Sequence, residues 1–327
     1  MYKIILKSFN YLEEFAKLEI KTILNQEFTQ IDKETFEIQA KDEKELTQIT
    51  YNLVFYSRCF DGIYLKENEN KQTKYQSLEK VEIDYKNTAI KVYDLIGDIL
   101  IERNYKINED ENYLSHFLVN YCAYKLELHK EEKIFSIIDP MAELGDIIIE
   151  TSLFQPRKPL YIQEKNTLPI YKEFKIMPPM PKPIKDKSKY QALVLEDSQF
   201  KKLRENINEA SQKVRISKYE MDWLDVKFHK NDFDYAITFL PEFDDEDCPG
   251  ESDEFLKEFL YQTEFICKKR ICLISQEEIS LKYAEKYELN LIDKTEIEVD
   301  EEPFIIYIFE PTLDENKKTK PKKSINN

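Results

Sequence analysis

Glycine is almost missing from this chain, with four in 327 residues. A glycine at a strand-to-helix turn is therefore a placed residue, because glycine permits positive φ and close backbone approach. Basic charge is in deficit: 48 Lys and Arg against 64 Asp and Glu give a formal net charge of -16. No global positive field draws the chain to nucleic acid or anionic membrane, so any RNA contact has to be local. The five cysteines (Cys59, Cys122, Cys248, Cys267, Cys272) are scattered and odd in number, and only three histidines accompany them. That excludes a Cys/His metal set and leaves reduced thiols, mostly core fillers. His116, His129 and His229 have no nucleophile or base partner in the pattern. No run of about 18 apolar residues and no charged-then-apolar leader occurs, so the expectation is a cytoplasmic protein with no membrane contact.

With 42% hydrophobic residues, a chain of this length buries a real core, and two domains are expected. Tyr2 to Leu6 alternate as a strand does. From Leu12 to Leu24, the apolar residues Leu12, Phe15, Ala16, Leu18, Ile20 and Ile23 follow helical spacing. Short strands are expected at Phe28–Ile31 and Thr35–Ile38, a helix over Glu43–Tyr56, and a strand over Cys59–Leu65. That order is β-α-β-β-α-β, a ferredoxin-like α+β module over residues 1–70. A helical linker over 71–130 comes next, with one helix at 88–104 (Val92, Leu95, Ile96, Ile99, Leu100) and another at 112–128 (Leu114, Phe117, Leu118, Tyr121).

From 133 onward strands and helices alternate, which predicts a parallel α/β sheet over 131–312. Strands are expected at Ile134–Asp139, Ala192–Glu196, Val214–Tyr219, Phe233–Phe239, Arg270–Ser275, Asn290–Val299 and Phe304–Glu310, the last two pairing antiparallel. Helices fall near 145–154, 198–211, 252–267 and 277–287. An insert at 156–189 holds seven of the thirteen prolines, which excludes regular helix over most of it. Its lysines, Lys165, Lys172, Lys175, Lys182 and Lys185 among them, interleave with Tyr161, Tyr171 and Phe174. This is either a groove for single-stranded RNA or a solvated excursion. The tail 313–327 is lysine-rich and expected to be disordered.

Chemistry concentrates at 133–150, where an apolar run meets Asp139-Pro140, turns at Gly145 and continues as an apolar helix. Helix N-termini after such turns attract anionic groups, so a nucleotide-like site is the leading reading; a plain α/β turn is the other. Asp139-Pro140-Met141-Ala142-Glu143-Leu144-Gly145-Asp146 resembles the first S-adenosylmethionine motif of RNA methyltransferases, D-P-M-C-G-S-G-T. Leu195-Glu196-Asp197-Ser198 resembles the acidic step that binds ribose hydroxyls, a task that suits a carboxylate accepting two hydrogen bonds. Asp222-Trp223-Leu224-Asp225 stands where an acid contacts the adenine amino group, and Asp234 to Pro241 falls where the family has D-x-I-x-x-N-P-P-[YF]. With the N-terminal module, the chain is similar to the tRNA guanine-N2 methyltransferases that carry a THUMP domain, although the THUMP core itself is largely missing.

The resemblance implies a class I methyltransferase domain with a seven-stranded sheet, S-adenosylmethionine as cofactor without a metal, and structured RNA, above all tRNA, as partner. Asp139, Pro140, Gly145, Glu196, Asp197 and Asp222 would hold the cofactor, and Thr238, Pro241 and Phe243 would frame the target base. Two departures are chemical. Glu143 replaces the first motif glycine and sets a carboxylate against an anionic ligand group. Phe239 replaces the asparagine that accepts hydrogen bonds from the target amine. Two functions therefore stay open: an active RNA methyltransferase, or an inactive one that binds RNA or a protein partner. The acid run Asp244 to Asp247 reads as a solvated loop rather than a metal site.

Overall fold

In the computed structural model, which describes residues 1–8, 11–57, 59–66, 80–83, 91–98, 112–131, 134–153, 187–210, 212–218, 224–241, 251–299 and 302–312, two units are distinct. One contains Met1–Glu102; the other contains Arg103–Gln155 and Lys185–Asn327.

The first unit is built around β1 (Tyr2–Ser8), flanked by β3 (Thr35–Ala40) and β4 (Phe60–Lys66), both antiparallel to it. Ile4 stands opposite Ile38 and Leu65, and Leu6 opposite Phe36 and Ile63, so one face carries a continuous aliphatic layer. All six side chains are buried, and each contributes about 1.5–3 kcal/mol by leaving water. α1 (Glu13–Glu19) runs on as a π-helical stretch to Leu24 and stops at Asn25 in the left-handed region, a conformation asparagine tolerates. β2 (Thr29–Gln30) is a two-residue edge strand. α2 (Glu43–Tyr56) starts at Asp42, whose side chain accepts the Glu45 N–H at 2.9 Å. The buried Glu19 carboxylate accepts the Ser57 hydroxyl at 2.5 Å and the Cys59 N–H at 3.3 Å, joining α1 to the entry of β4. The expected ferredoxin-like order is present.

The helix expected at 88–104 is not. Residues Lys91–Asp98 form β6, antiparallel to β4, and Lys80–Ile83 form β5 beyond it, giving the order β2-β3-β1-β4-β6-β5. Short apolar runs fit both periods. The open edge of β4 supplies backbone partners, and Gly97, which costs a helix about 1 kcal/mol, stands opposite Ile63. Of the helical linker expected over 71–130, the helix at its far end is observed as α3 (Asn112–Lys125).

In the second unit β7 (Ser136–Asp139) is central. The sheet order is β12-β13-β11-β10-β7-β8-β9, formed with β8 (Lys189–Val194), β9 (Val214–Lys218), β10 (Phe233–Phe239), β11 (Cys267–Ser275), β12 (Leu289–Val299) and β13 (Glu302–Pro311). Neighbours are parallel except β13, antiparallel to both β11 and β12. The expected seven-stranded layout is thus observed, with the reversed strand inserted between its neighbours. Helices α4 (Asp146–Leu153), α5 (Asp197–Glu209), α6 (Leu224–Lys227), α7 (Glu251–Ile266) and α8 (Lys282–Lys286) connect them. Ile138, Leu193, Ala236, Phe259, Ile271, Leu273, Tyr307 and Phe309 lie in one buried cluster. At the amino end of the strands, Tyr235 donates to Glu131, which also pairs with Lys269, and Asp234 accepts the Ser136 N–H at 2.9 Å.

Candidate functional site: the crevice above β7 and β10

From β7 the chain steps through β8 to β9 on one side, then returns to β10 on the other. Sheets of this kind take ligands outside the carboxyl ends of the strands where the order reverses. Asp139 ends β7 at that point and is 1% exposed. Its Oδ1 accepts the Thr238 hydroxyl from β10 at 2.7 Å and the Met141 N–H at 3.1 Å. Its Oδ2 is buried and has no hydrogen-bond partner among the described residues. Burial pushes this carboxyl up to about 7; the bonds from Thr238 and Met141 work against that, while the charges of Asp146 and Glu143 add to it.

The loop leaving Asp139 is held from several sides. The Ala142 N–H bonds to the Leu193 carbonyl at the end of β8 (3.0 Å), and the Gly145 N–H to the Ala142 carbonyl (2.5 Å). Asn206 on α5 donates to the Leu144 carbonyl at 2.9 Å. Gly145 has φ +92°, and a Cβ there would come within 2.1 Å of the Leu203 Cδ1. The positive φ favours glycine, and the space it saves is filled by Leu203 of α5. Glu143 also has positive φ (41°), with its side chain exposed. A non-glycine residue in that region carries about 1–2 kcal/mol of strain.

The other residues singled out from the sequence divide sharply. Pro140 is buried in the loop beside Asp139. Glu196 and Asp197 are exposed at the end of β8 and start of α5, and both carboxylates are engaged. Glu196 accepts the Ser198 hydroxyl at 2.9 Å, and its own N–H bonds to Gln199. Asp197 pairs with Lys218 at 3.0 Å. Thr238 is fully buried and its hydroxyl belongs to Asp139. Phe239 packs edge-on against Phe304, with ring centroids 5.9 Å apart. Leu240 is buried with its N–H given to the Ile274 carbonyl, and Pro241 is half-buried. Asp222, Phe243, Lys165, Lys172, Lys175, Lys182 and Lys185 lie outside the described residues. Among the described residues no group of His, Cys, Asp and Glu suits a metal ion.

Asn206 escaped sequence reasoning although a signal existed: it is a polar residue within the buried stripe Leu203-Asn206-Ile207 of α5. Leu195, 57% exposed beside Glu196, is a large apolar group at the rim.

No family model and no curated relative matches the sequence. Solved structures do. A possible methylase from Clostridium difficile 630 is 14% identical, covering 96% of this chain and 100% of its own, with a TM-score of 0.59. TrmN from Thermus thermophilus is 12% identical over 95% and 100% of the two chains, with a TM-score of 0.59. SMU.472, solved in complex with SAH, is 10% identical over 94% and 97%, with a TM-score of 0.62. At these identities the likeness is one of fold.

Proposed function

We propose that this chain is a methyltransferase-fold protein that binds structured RNA, tRNA above all, and no longer transfers a methyl group to an exocyclic amine. The single observation that carries this reading is the tip of β10. An amine acceptor there must offer lone pairs to the target N–H groups and hold the amine in line with the donor. Here Phe239 is committed to Phe304, Leu240 is buried, and the Thr238 hydroxyl is held by Asp139. Apolar packing occupies the place of a polar clamp. The RNA half of the reading is supported by the lysines interleaved with aromatics at 156–189, a pattern that tracks a phosphate backbone while offering rings to bases.

S-adenosylmethionine, the cofactor the resemblance implies, would bring its amino-acid carboxylate to an acidic loop in this crevice. An amino-acid carboxylate needs backbone N–H groups or a cation. The Met141, Ala142 and Gly145 N–H groups are engaged by Asp139, the end of β8 and Ala142, and Asp139, Glu143 and Asp146 put three carboxyl groups around the loop. Asp146 in the first turn of α4 already answers the helix dipole.

The test has two arms. Incubation with isotopically labelled S-adenosylmethionine and bulk tRNA should transfer no label; incorporation above a protein-free blank refutes the loss of chemistry. Electrophoretic shift of tRNA should weaken steeply with salt. Changing Lys165, Lys172, Lys175, Lys182 and Lys185 to glutamine should flatten the log–log salt slope by about 3 to 4. An unchanged slope, or no shift at low salt, removes RNA as the partner.

A further inference from the structure

We infer that the crevice above β7 and β10 takes a nucleoside-type ligand whose 5′ arm is cationic or neutral, and that it rejects one bearing a carboxylate. The nucleoside part rests on the reading of this crevice given above; the choice of charge rests on the loop itself. Any ligand seated where the strand order reverses must meet the loop from Asp139 to Asp146. Three of that loop's donors are already engaged. Met141 N–H is turned back onto Asp139, Ala142 N–H onto the end of β8, and Gly145 N–H onto Ala142.

Its acceptors point the other way. The Asp139 carboxyl is fixed between the β10 hydroxyl and the first loop N–H, so it sits at the reversal point itself. One of its oxygens is buried without a partner. A buried unpaired acceptor is costly unless a donor arrives, and an ammonium-bearing arm supplies both a donor and compensating charge. Glu143, whose backbone is held at φ 41°, and Asp146 at the head of α4 add to the negative field felt at Asp139. A ligand carboxylate brought to this loop faces like charge with no backbone donor among those three to offset it.

Titration calorimetry on the full chain with three probes separates the possibilities: decarboxylated S-adenosylmethionine, 5′-methylthioadenosine and S-adenosylmethionine. The decarboxylated probe should bind at least about tenfold tighter than S-adenosylmethionine at low ionic strength. The gap should narrow at physiological salt. Glu143→Gly should close much of it. Glu143→Gln, which keeps the backbone demand and removes the charge, should act alike and guards against a conformational cause. Equal or tighter binding of S-adenosylmethionine overturns the inference, as does silence from all three probes at millimolar concentration. These outcomes are independent of the tRNA assays: labelled methyl reaching RNA refutes the proposed function alone, whereas the ranking of probes judges only the charge of the arm.

Discussion

Replacing Asp139 by asparagine should remove a pH dependence of stability that the wild-type chain carries between about pH 4 and 7. The folded-state carboxyl is pushed up to about 7 from an ordinary 3.8. Below 3.8 both states hold the proton, and the folded state loses nothing. Between 3.8 and 7 the unfolded chain releases its proton while the folded one keeps it, so stability falls as pH rises, and above 7 the loss is complete. A gap of about three units at 1.36 kcal/mol each sets an upper size of about 4 kcal/mol. Asparagine keeps the oxygen that accepts from Thr238 and Met141 but puts a donor where Oδ2 has no partner, which costs about 1–3 kcal/mol. The variant should therefore be less stable than wild type near pH 4 and more stable by about 1–3 kcal/mol at pH 8. Thermal melts of both proteins at pH 4, 5, 6, 7 and 8 read the crossing directly. For a unit of this size it appears as a relative shift of about 2–4 °C per kcal/mol. A melting difference that stays constant across that range refutes the reasoning, because it means the wild-type carboxyl ionises as freely folded as unfolded.

Gly145→Ala should destabilise the second unit by about 2–4 kcal/mol, since it adds a Cβ 2.1 Å from Leu203 at a φ of +92°. Adding Leu203→Ala should recover part of that loss in a double-mutant cycle, and strict additivity would show that the two positions do not meet. Thr238→Val keeps the shape and removes the hydroxyl bond to Asp139, so chemical denaturation should show a loss of about 1–3 kcal/mol. Because that bond opposes the upward push on Asp139, the pH-dependent step should also move to higher pH in Thr238→Val, and a downward move would contradict it.

Much of the architecture was legible along the chain because periodicity is a local property. Alternation at Tyr2–Leu6 and helical spacing at Leu12–Leu24 and Glu43–Tyr56 reappear as β1, α1 with its π-helical extension, and α2. Phe233–Phe239 matches β10 end to end. The failure at 88–104 has a physical cause: Val92, Leu95 and Ile96 satisfy either period, and the choice fell to the unpaired edge of β4, a partner far away in sequence. At the candidate site, an acid before proline and a scarce glycine pointed to Asp139 and Gly145. Residue types alone did not reveal that Thr238 is consumed by Asp139 or that Phe239 turns onto Phe304.

What the amino-acid order determined by itself was which segments bury a face and where the backbone needs a residue without a side chain, because both depend on neighbours within a few positions. Only the tertiary structure decided that two positions 99 apart share one proton-holding contact at the sheet's reversal, that α5 fills the space above Gly145, and that the loop's donors turn inward. Those outcomes depend on how strands are ordered side by side, and a hydrogen bond or a carbon–carbon contact across the sheet leaves no periodic trace in the chain.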